Sequence, residues 1–145
     1  MSTNLCIKNS CHKMFFFYKF LTTIFFPIFI IVILIRKMLK KEDPTRYKEK
    51  IFPNKIKFKK NNTVWFHAAS IGEVKSIMPF VKYFIKHKDG YEVLITSVTL
   101  SSEKIVEKEF NKNSNVQHQY FPLDTPFLSK KFIESVKPKL AIFVD

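Results

Sequence analysis

Apolar and polar positions divide the chain near residue 36. Upstream, Phe20 to Ile35 reads FLTTIFFPIFIIVILI, without a charge, and Met14 to Phe17 extends the run past Lys19. As a helix from Met14 to Ile35 the run would be ~33 Å long, enough for a hydrocarbon core of ~30 Å. This predicts a membrane anchor over 14–35 behind a short amino-terminal tail, 1–13. Lys19 lies near one end, where its stem can carry the ammonium to the headgroups, and Pro27 is better tolerated in a membrane helix than in a soluble one. Ile35 is followed by Arg-Lys-Met-Leu-Lys-Lys with no small-residue cleavage pattern, so the segment is expected to stay attached. No other segment is apolar enough to surround it as a buried core helix.

Beyond residue 60 the pattern alternates. Thr63 to Ala69 (TVWFHAA) is β-branched and aromatic at its start and reads as a strand, turned by Ser70-Ile71-Gly72. Val74, Ile77, Met78, Val81, Phe84 and Ile85 then fall on one helical face as far as Asp89-Gly90. Glu92–Ser97 reads as a second strand, Ser101 to Phe110 as a second helix and Val116–Tyr120 as a third strand. After the Pro122 to Pro126 turn, Leu128, Phe132 and Val136 mark a third helix, which Pro138 ends before a fourth strand, Leu140–Val144. Strands separated by helices predict an α/β domain over 61–145, a Rossmann-like, mostly parallel sheet with right-handed crossovers. Ligands of such sheets bind beyond the carboxyl ends of the strands. The loops 70–73, 97–101 and 121–126 share that edge.

Charge refines the picture. The chain carries 25 Lys and Arg against 12 Asp and Glu, a net of +13. The segment 36–60 holds 11 basic residues against Glu42, Asp43 and Glu49, a net of +8, directly after the apolar run. That position suits a basic juxtamembrane segment against acidic lipid. It argues against nucleic acid, for which no zinc-ligand spacing or RNA-binding signature speaks either. Positive charge is denser after the run than before it, which places the folded part in the cytoplasm. Lys8, Lys13 and Lys19 reduce the contrast, so a helix lying in the membrane interface is the alternative to a single crossing. Cys6 and Cys11 precede the anchor, and two thiols with no matching His pair make neither a zinc site nor a disulfide framework.

The most specific stretch is His67-Ala68-Ala69-Ser70-Ile71-Gly72-Glu73, a strand running into a helix through a small-residue turn. Gly72 permits close approach, and the first helical amides favour an anion. A carboxylate at a helix start, Glu73, is held ionised and ready to accept a proton, although Glu is also common there for stability alone. Ser70 reads as the helix cap rather than a nucleophile, having no base placed to activate it. His67, near the strand end, reads either as a satisfied buried histidine or as a ligand contact. Thr96, Ser97 and Thr99 could line a phosphate or sugar site, or reflect strand propensity. Asp124 reads as the holder of its Pro-flanked turn, with ligand contact as the alternative.

The stretch resembles the H-A-x-S-x-G-E signature of bacterial 3-deoxy-D-manno-octulosonic acid (Kdo) transferases. Three further matches keep the same order: Arg46 to Pro53 against a basic R-x-G-E-R-x-G segment, Thr96 to Thr99 against a threonine-rich loop, and Tyr120-Phe-Pro-Leu-Asp124-Thr-Pro126 against a Y-x-P-x-D-x-P turn. The resemblance covers residues 36 to 145. It implies the acceptor half of a two-domain GT-B enzyme that uses no metal or cofactor and transfers Kdo from the donor CMP-Kdo to a lipid A precursor at the bacterial inner membrane, in lipopolysaccharide core biosynthesis. It assigns Glu73 as the catalytic base, and beside it His67, Ser70, Gly72, Thr96, Ser97, Thr99 and Asp124 are, from their own positions, candidates for the acceptor site. Phe52-Pro53 and Leu100-Ser101 depart from the family pattern. The chain ends at Asp145, before the acidic, tryptophan-containing segment and the nucleotide-sugar domain that the resemblance leads one to expect. The expectation is therefore a fragment or split-enzyme half, inactive alone and complemented by a separate carboxyl-terminal half. The rival expectation is a noncatalytic membrane-tethered module that binds acidic lipid or a partner domain.

Overall fold

The structure is a computed structural model that describes residues 3–52, 58, 62–88 and 90–144, with side chains from Met14 onward. Helix α1 (Thr3–Met38) contains the apolar run. It begins well before Met14, because residues 3–13 carry neither proline nor glycine to interrupt it. Met14–Met38 is, among the described residues, the one helix long and apolar enough by length and composition to cross a membrane. Asp89, Asp145 and the lysines at 55, 57, 59 and 60 lie outside the described residues, as do the side chains of Cys6 and Cys11.

A short 3-10 turn, Arg46–Lys50, precedes the α/β part. There β1 (Thr63–Ala68), α2 (Ile71–His87), β2 (Glu92–Ser97), α3 (Leu100–Phe110), β3 (Val116–Tyr120), α4 (Pro126–Val136) and β4 (Leu140–Val144) alternate as the periodicity predicts. The sheet is wholly parallel in the order β3-β2-β1-β4. Strand order therefore reverses at β1, with β2 and β3 on one side and β4 on the other, and the carboxyl ends of β1 and β4 form the topological switch point.

Alternation along β1 sets the two faces. Val64, Phe66 and Ala68 pack with Val93 and Ile95 of β2 under Val74, Ile77 and Val81 of α2 and Val106 of α3. Trp65 and Leu94 face the other way, against Phe132 and Val136 of α4. Each such side chain contributes about 1.5–3 kcal/mol by leaving water, which makes the α2–α3 face the larger core. All six residues of the central strand β2 are buried, whereas β4 is an open edge with Phe143 exposed.

Candidate functional site

The β1–α2 turn lies at the switch point. Ser70 caps α2 in extended backbone conformation (φ −106°, ψ 166°), its hydroxyl oxygen accepting the Glu73 N–H at 3.3 Å. Glu73 reaches back: one carboxylate oxygen accepts the Ala69 N–H at 2.7 Å and the other the Ser70 hydroxyl at 2.5 Å. This reciprocal box needs the Ser-x-x-Glu spacing and satisfies amides the helix start would otherwise orphan. The Ser70 hydroxyl first, then the Ala69 amide, holds the Glu73 carboxyl below the ordinary carboxylate range. It is an anion at neutral pH, and each oxygen keeps a lone pair for an incoming hydroxyl. A Cβ at Gly72 would have only Ser70 Oγ, at 3.9 Å, within 4 Å. The fold itself does not require glycine there, and the space beside Glu73 is open.

The other sequence-predicted residues divide. His67 is half-buried, with Nδ1 at 2.9 Å from Thr96 Oγ1 and its ring against Phe121 and Phe143. Thr96 is fully buried and accepts the Trp65 indole N–H at 2.8 Å. In register with Thr96 on β3 stands Gln119, whose buried side-chain amide has no hydrogen-bond partner among the described residues. Ser97 faces the opposite side of the sheet, also fully buried, with its hydroxyl at 2.9 Å from His118 Nε2. Thr99 caps α3 through the Ser102 N–H at 3.2 Å. Asp124 is exposed, and its carbonyl accepts the Tyr18 hydroxyl at 3.1 Å. The residue that caps α4 is the neighbouring Thr125, which precedes Pro126 at the helix start in extended conformation. Thus Glu73, Ser70 and Gly72 stand together in the open turn with His67 just behind, while Thr96, Ser97 and Thr99 are engaged in the scaffold.

Sequence reasoning missed a second cluster at the carboxyl ends of β2 and β3. Arg46 is its hub. Its guanidinium pairs with Glu49 at 2.8 Å, with Glu103, and with Glu107 at 3.3 Å. It also donates to the His118 carbonyl at 2.8 Å and lies 3.2 Å from His118 Nδ1. Glu49 accepts the Tyr120 N–H at 3.1 Å, and the Tyr120 hydroxyl donates to Glu103. Burial, aided by the Arg46 charge, pushes the His118 imidazole down to about 3, so it is neutral at physiological pH. Lys50 is buried, paired with Glu42 at 2.5 Å, and donates to the Val98 carbonyl at 2.8 Å. Arg36, Arg46 and Lys50, counted in the sequence as free juxtamembrane charge, are therefore engaged by carboxylates, whereas Lys40, Lys41 and Lys48 are exposed. The available signals were the Arg46-x-x-Glu49-Lys50 spacing and the same-face alternation of His118 and Tyr120.

The first half of α1 touches this edge too. Between α1 and the start of α4 lies a cleft of about 460 Å³, lined by Lys19, Thr22 and Phe26 on one side and Thr125, Phe127 and Lys130 on the other.

Fold and turn together define a parallel α/β unit of the Rossmann type, with an ionised, self-capped carboxylate at the switch point of its ligand edge. A sequence model of the 3-deoxy-D-manno-octulosonic-acid transferase (kdotransferase) family matches residues 45–145, and the chain belongs to that family. It is 35% identical over 128 residues to the 3-deoxy-D-manno-octulosonic acid transferase of Rickettsia bellii (strain RML369-C), covering 88% of this chain and 30% of that protein. Over 82 residues it is 34% identical to the enzyme of that name from Haemophilus influenzae, covering 57% of this chain and 19% of the relative. Over the same length it is 30% identical to a probable mitochondrial one from Arabidopsis thaliana, 57% of this chain and 18% of the relative. The chain thus spans about a third or less of these relatives' length. No solved structure matches it.

Proposed function

We propose that this chain is the acceptor-side, amino-terminal part of a membrane-bound Kdo transferase of the GT-B type. It acts at the cytoplasmic face of the inner membrane and receives a lipid A precursor to which Kdo passes from CMP-Kdo. The observation that carries the reading is the position of Glu73: an ionised carboxylate at the switch point of a chain of this family, beside open space at Gly72. In transfer, an acceptor hydroxyl would approach along the carboxyl edge and hand its proton to Glu73 as the oxygen attacks the sugar's anomeric carbon, from which cytidine monophosphate departs. Its lowered pKa makes Glu73 a weak base in the open chain. Closure of a donor-binding domain over the turn, which excludes water, would raise its basicity. His67, behind the turn, would orient the acceptor or the turn itself.

Anchoring belongs to the same reading. Crossing the bilayer separates Tyr18 from Asp124, because Tyr18 lies about 27 Å up the helix from Arg36. That exposed hydrogen bond contributes about 1 kcal/mol. Thirteen residues between Phe20 and Ile35 are Leu, Ile, Val or Phe, and each favours the bilayer centre by ~0.3–0.6 kcal/mol. The sum exceeds that hydrogen bond several-fold, which supports lipid rather than the carboxyl edge as the surroundings of this helix, as a single crossing or in the interface.

The test is transfer of labelled Kdo to a lipid A precursor by this chain combined with a separately made carboxyl-terminal half, with Glu73→Gln beside wild type. A base contributes about 10²–10⁴-fold, and a loss of that size is expected. Equal rates would sink the assignment and leave the membrane-tethered binding module as the better reading.

A further inference from the structure

The sheet face that packs against α4 carries a short polar chain behind the β1–α2 turn. Trp65 and His67 stand two residues apart on β1, and His67 is in register with Thr96 on β2. The Thr96 hydroxyl lies between them, 2.8 Å from the Trp65 indole nitrogen and 2.9 Å from His67 Nδ1. A hydroxyl has one proton to give and two lone pairs to offer, whereas an indole N–H only donates. Trp65 therefore takes one lone pair, and the hydroxyl proton has two acceptors within reach. His67 Nδ1 stands at an ordinary hydrogen-bond distance, while the Phe66 carbonyl, at 3.5 Å, is at the limit of one. Gln119, in register on the other side of Thr96, takes no bond from it. The hydroxyl proton therefore goes to Nδ1, and the neutral ring carries its own proton on Nε2. Phe121 and Phe143 flank the ring, with centroids 4.3 Å and 5.5 Å away, and a ring turned over between them would set a C–H against the fully buried Thr96 hydroxyl.

We propose that Thr96 is a positioning residue that fixes His67 as the Nε2–H tautomer, a neutral donor to an acceptor oxygen that carries no proton. Glu73 and His67 then divide the work at the turn: the carboxylate accepts the proton of the attacking hydroxyl, and the imidazole holds a neighbouring oxygen of the same molecule. The other tautomer would present a lone pair there and repel such an oxygen. The relay also accounts for a hydroxyl at a fully buried position of the central strand β2, where a polar group costs stability unless it is hydrogen-bonded. The inference rests on the reading of this edge as the acceptor site.

The first measurement needs neither donor nor acceptor. The full chain, with its four histidines labelled with heavy nitrogen, is held in detergent micelles at about pH 8.5, roughly two units above the ordinary imidazole value. Long-range proton–nitrogen spectra then read the tautomer of each ring, and His67→Gln identifies the signals of His67. A proton on Nε2 is expected in the parent and in Thr96→Ser, and a mixture of tautomers in Thr96→Val. Valine leaves the indole N–H buried without an acceptor, so Trp65→Phe/Thr96→Val, which removes both, is measured beside it. In the reconstituted transfer assay Thr96→Val should raise KM for the lipid A precursor severalfold with kcat nearly unchanged, as for a contact made equally before and in the transition state. Thr96→Ser should match the parent. A proton on Nδ1 in the parent overturns the proposal, as does a tautomer that survives both valine variants in folded protein. Serine behaving as valine does would assign the effect to packing and overturn the part given to the hydroxyl. A shifted tautomer with an unchanged KM overturns the donor role of His67. Equal transfer by wild type and Glu73→Gln would overturn the acceptor reading instead, and the Thr96–His67 assignment would then stand or fall on the spectra.

Discussion

The β1–α2 turn and the Arg46 cluster sit at the carboxyl ends of neighbouring strands, yet they are built on opposite plans. In the turn each polar partner of Glu73 lies within four residues, and the carboxylate faces solvent. In the cluster Arg46 joins Glu49, three residues on, to partners 57 to 72 residues away, and of these Glu103 and His118 are largely shielded from water while Glu107 is exposed. The contrast separates two uses of charge. A carboxylate that is to meet a ligand keeps its ionisation through short local bonds and leaves lone pairs open. A guanidinium that fixes remote segments has nearly all its donors occupied and is of little use to a ligand.

Breaking the hub should give the largest effect on stability. Arg46→Met takes the guanidinium away from the shielded Glu103 carboxylate, and removing one partner of a shielded pair costs about 3–5 kcal/mol; the lower end is expected here because Arg46 retains some exposure. Urea unfolding of the chain in detergent measures it. Glu73→Gln, measured alongside, should change stability by no more than about 1 kcal/mol, because one oxygen can still accept the Ala69 amide. Similar losses from both variants would erase the distinction between the two regions.

Acid should act on the cluster before it acts on the turn. Folded, His118 takes a proton only near pH 3; in the unfolded chain it does so near pH 6.5. Between those values the unfolded state binds the extra proton, so stability falls as the pH is lowered from about 6.5 towards 3, at up to about 1.4 kcal/mol per unit. A loss of about 2 kcal/mol between pH 7 and pH 5 is expected from this imidazole. The Glu73 and Asp43 carboxyls, both lowered, contribute stability that is lost only further into acid. His118→Gln should flatten the pH 5–7 slope, and an unaltered slope would mean that the ring is not closed off from water in solution.

The same contrast explains what the sequence could disclose. Strand limits such as Glu92–Ser97 and Leu140–Val144 follow from local alternation and turn residues, and the Ser70–Glu73 box follows from a four-residue spacing. Both are short-range signals. The direction of Thr96, Ser97 and Thr99 was not legible, because successive residues at a strand end turn to opposite faces and then into a cap, and all three types suit either a ligand or the scaffold. The Arg46 cluster was hidden for a stronger reason. A charge count treats each cation as free, and only the parallel register that sets β3 beside β2 brings His118 and Tyr120 to the turn at Arg46–Lys50. The extra amino-terminal turns of α1 escaped notice because hydropathy marks the stretch that suits lipid and is silent on where a polar helix begins.

The smallest effects test the turn from within. Ser70→Ala removes the cap and should cost about 1 kcal/mol, while also letting the Glu73 carboxyl rise towards its ordinary range, since the Ser70 hydroxyl is the largest cause of its depression. Gly72→Ala should go the other way. Its φ is not left-handed and the added methyl meets only Ser70 Oγ, in ordinary van der Waals contact, so the substitution should stabilise the chain by about 0.4–1 kcal/mol through the unfolded state. Raised stability together with lowered Kdo transfer in the reconstituted assay would mean that the open space at Gly72 belongs to the acceptor or to the closing domain. Raised stability with undiminished transfer would return that space to solvent and leave the proposed base, Glu73, as the turn's one candidate for the chemistry.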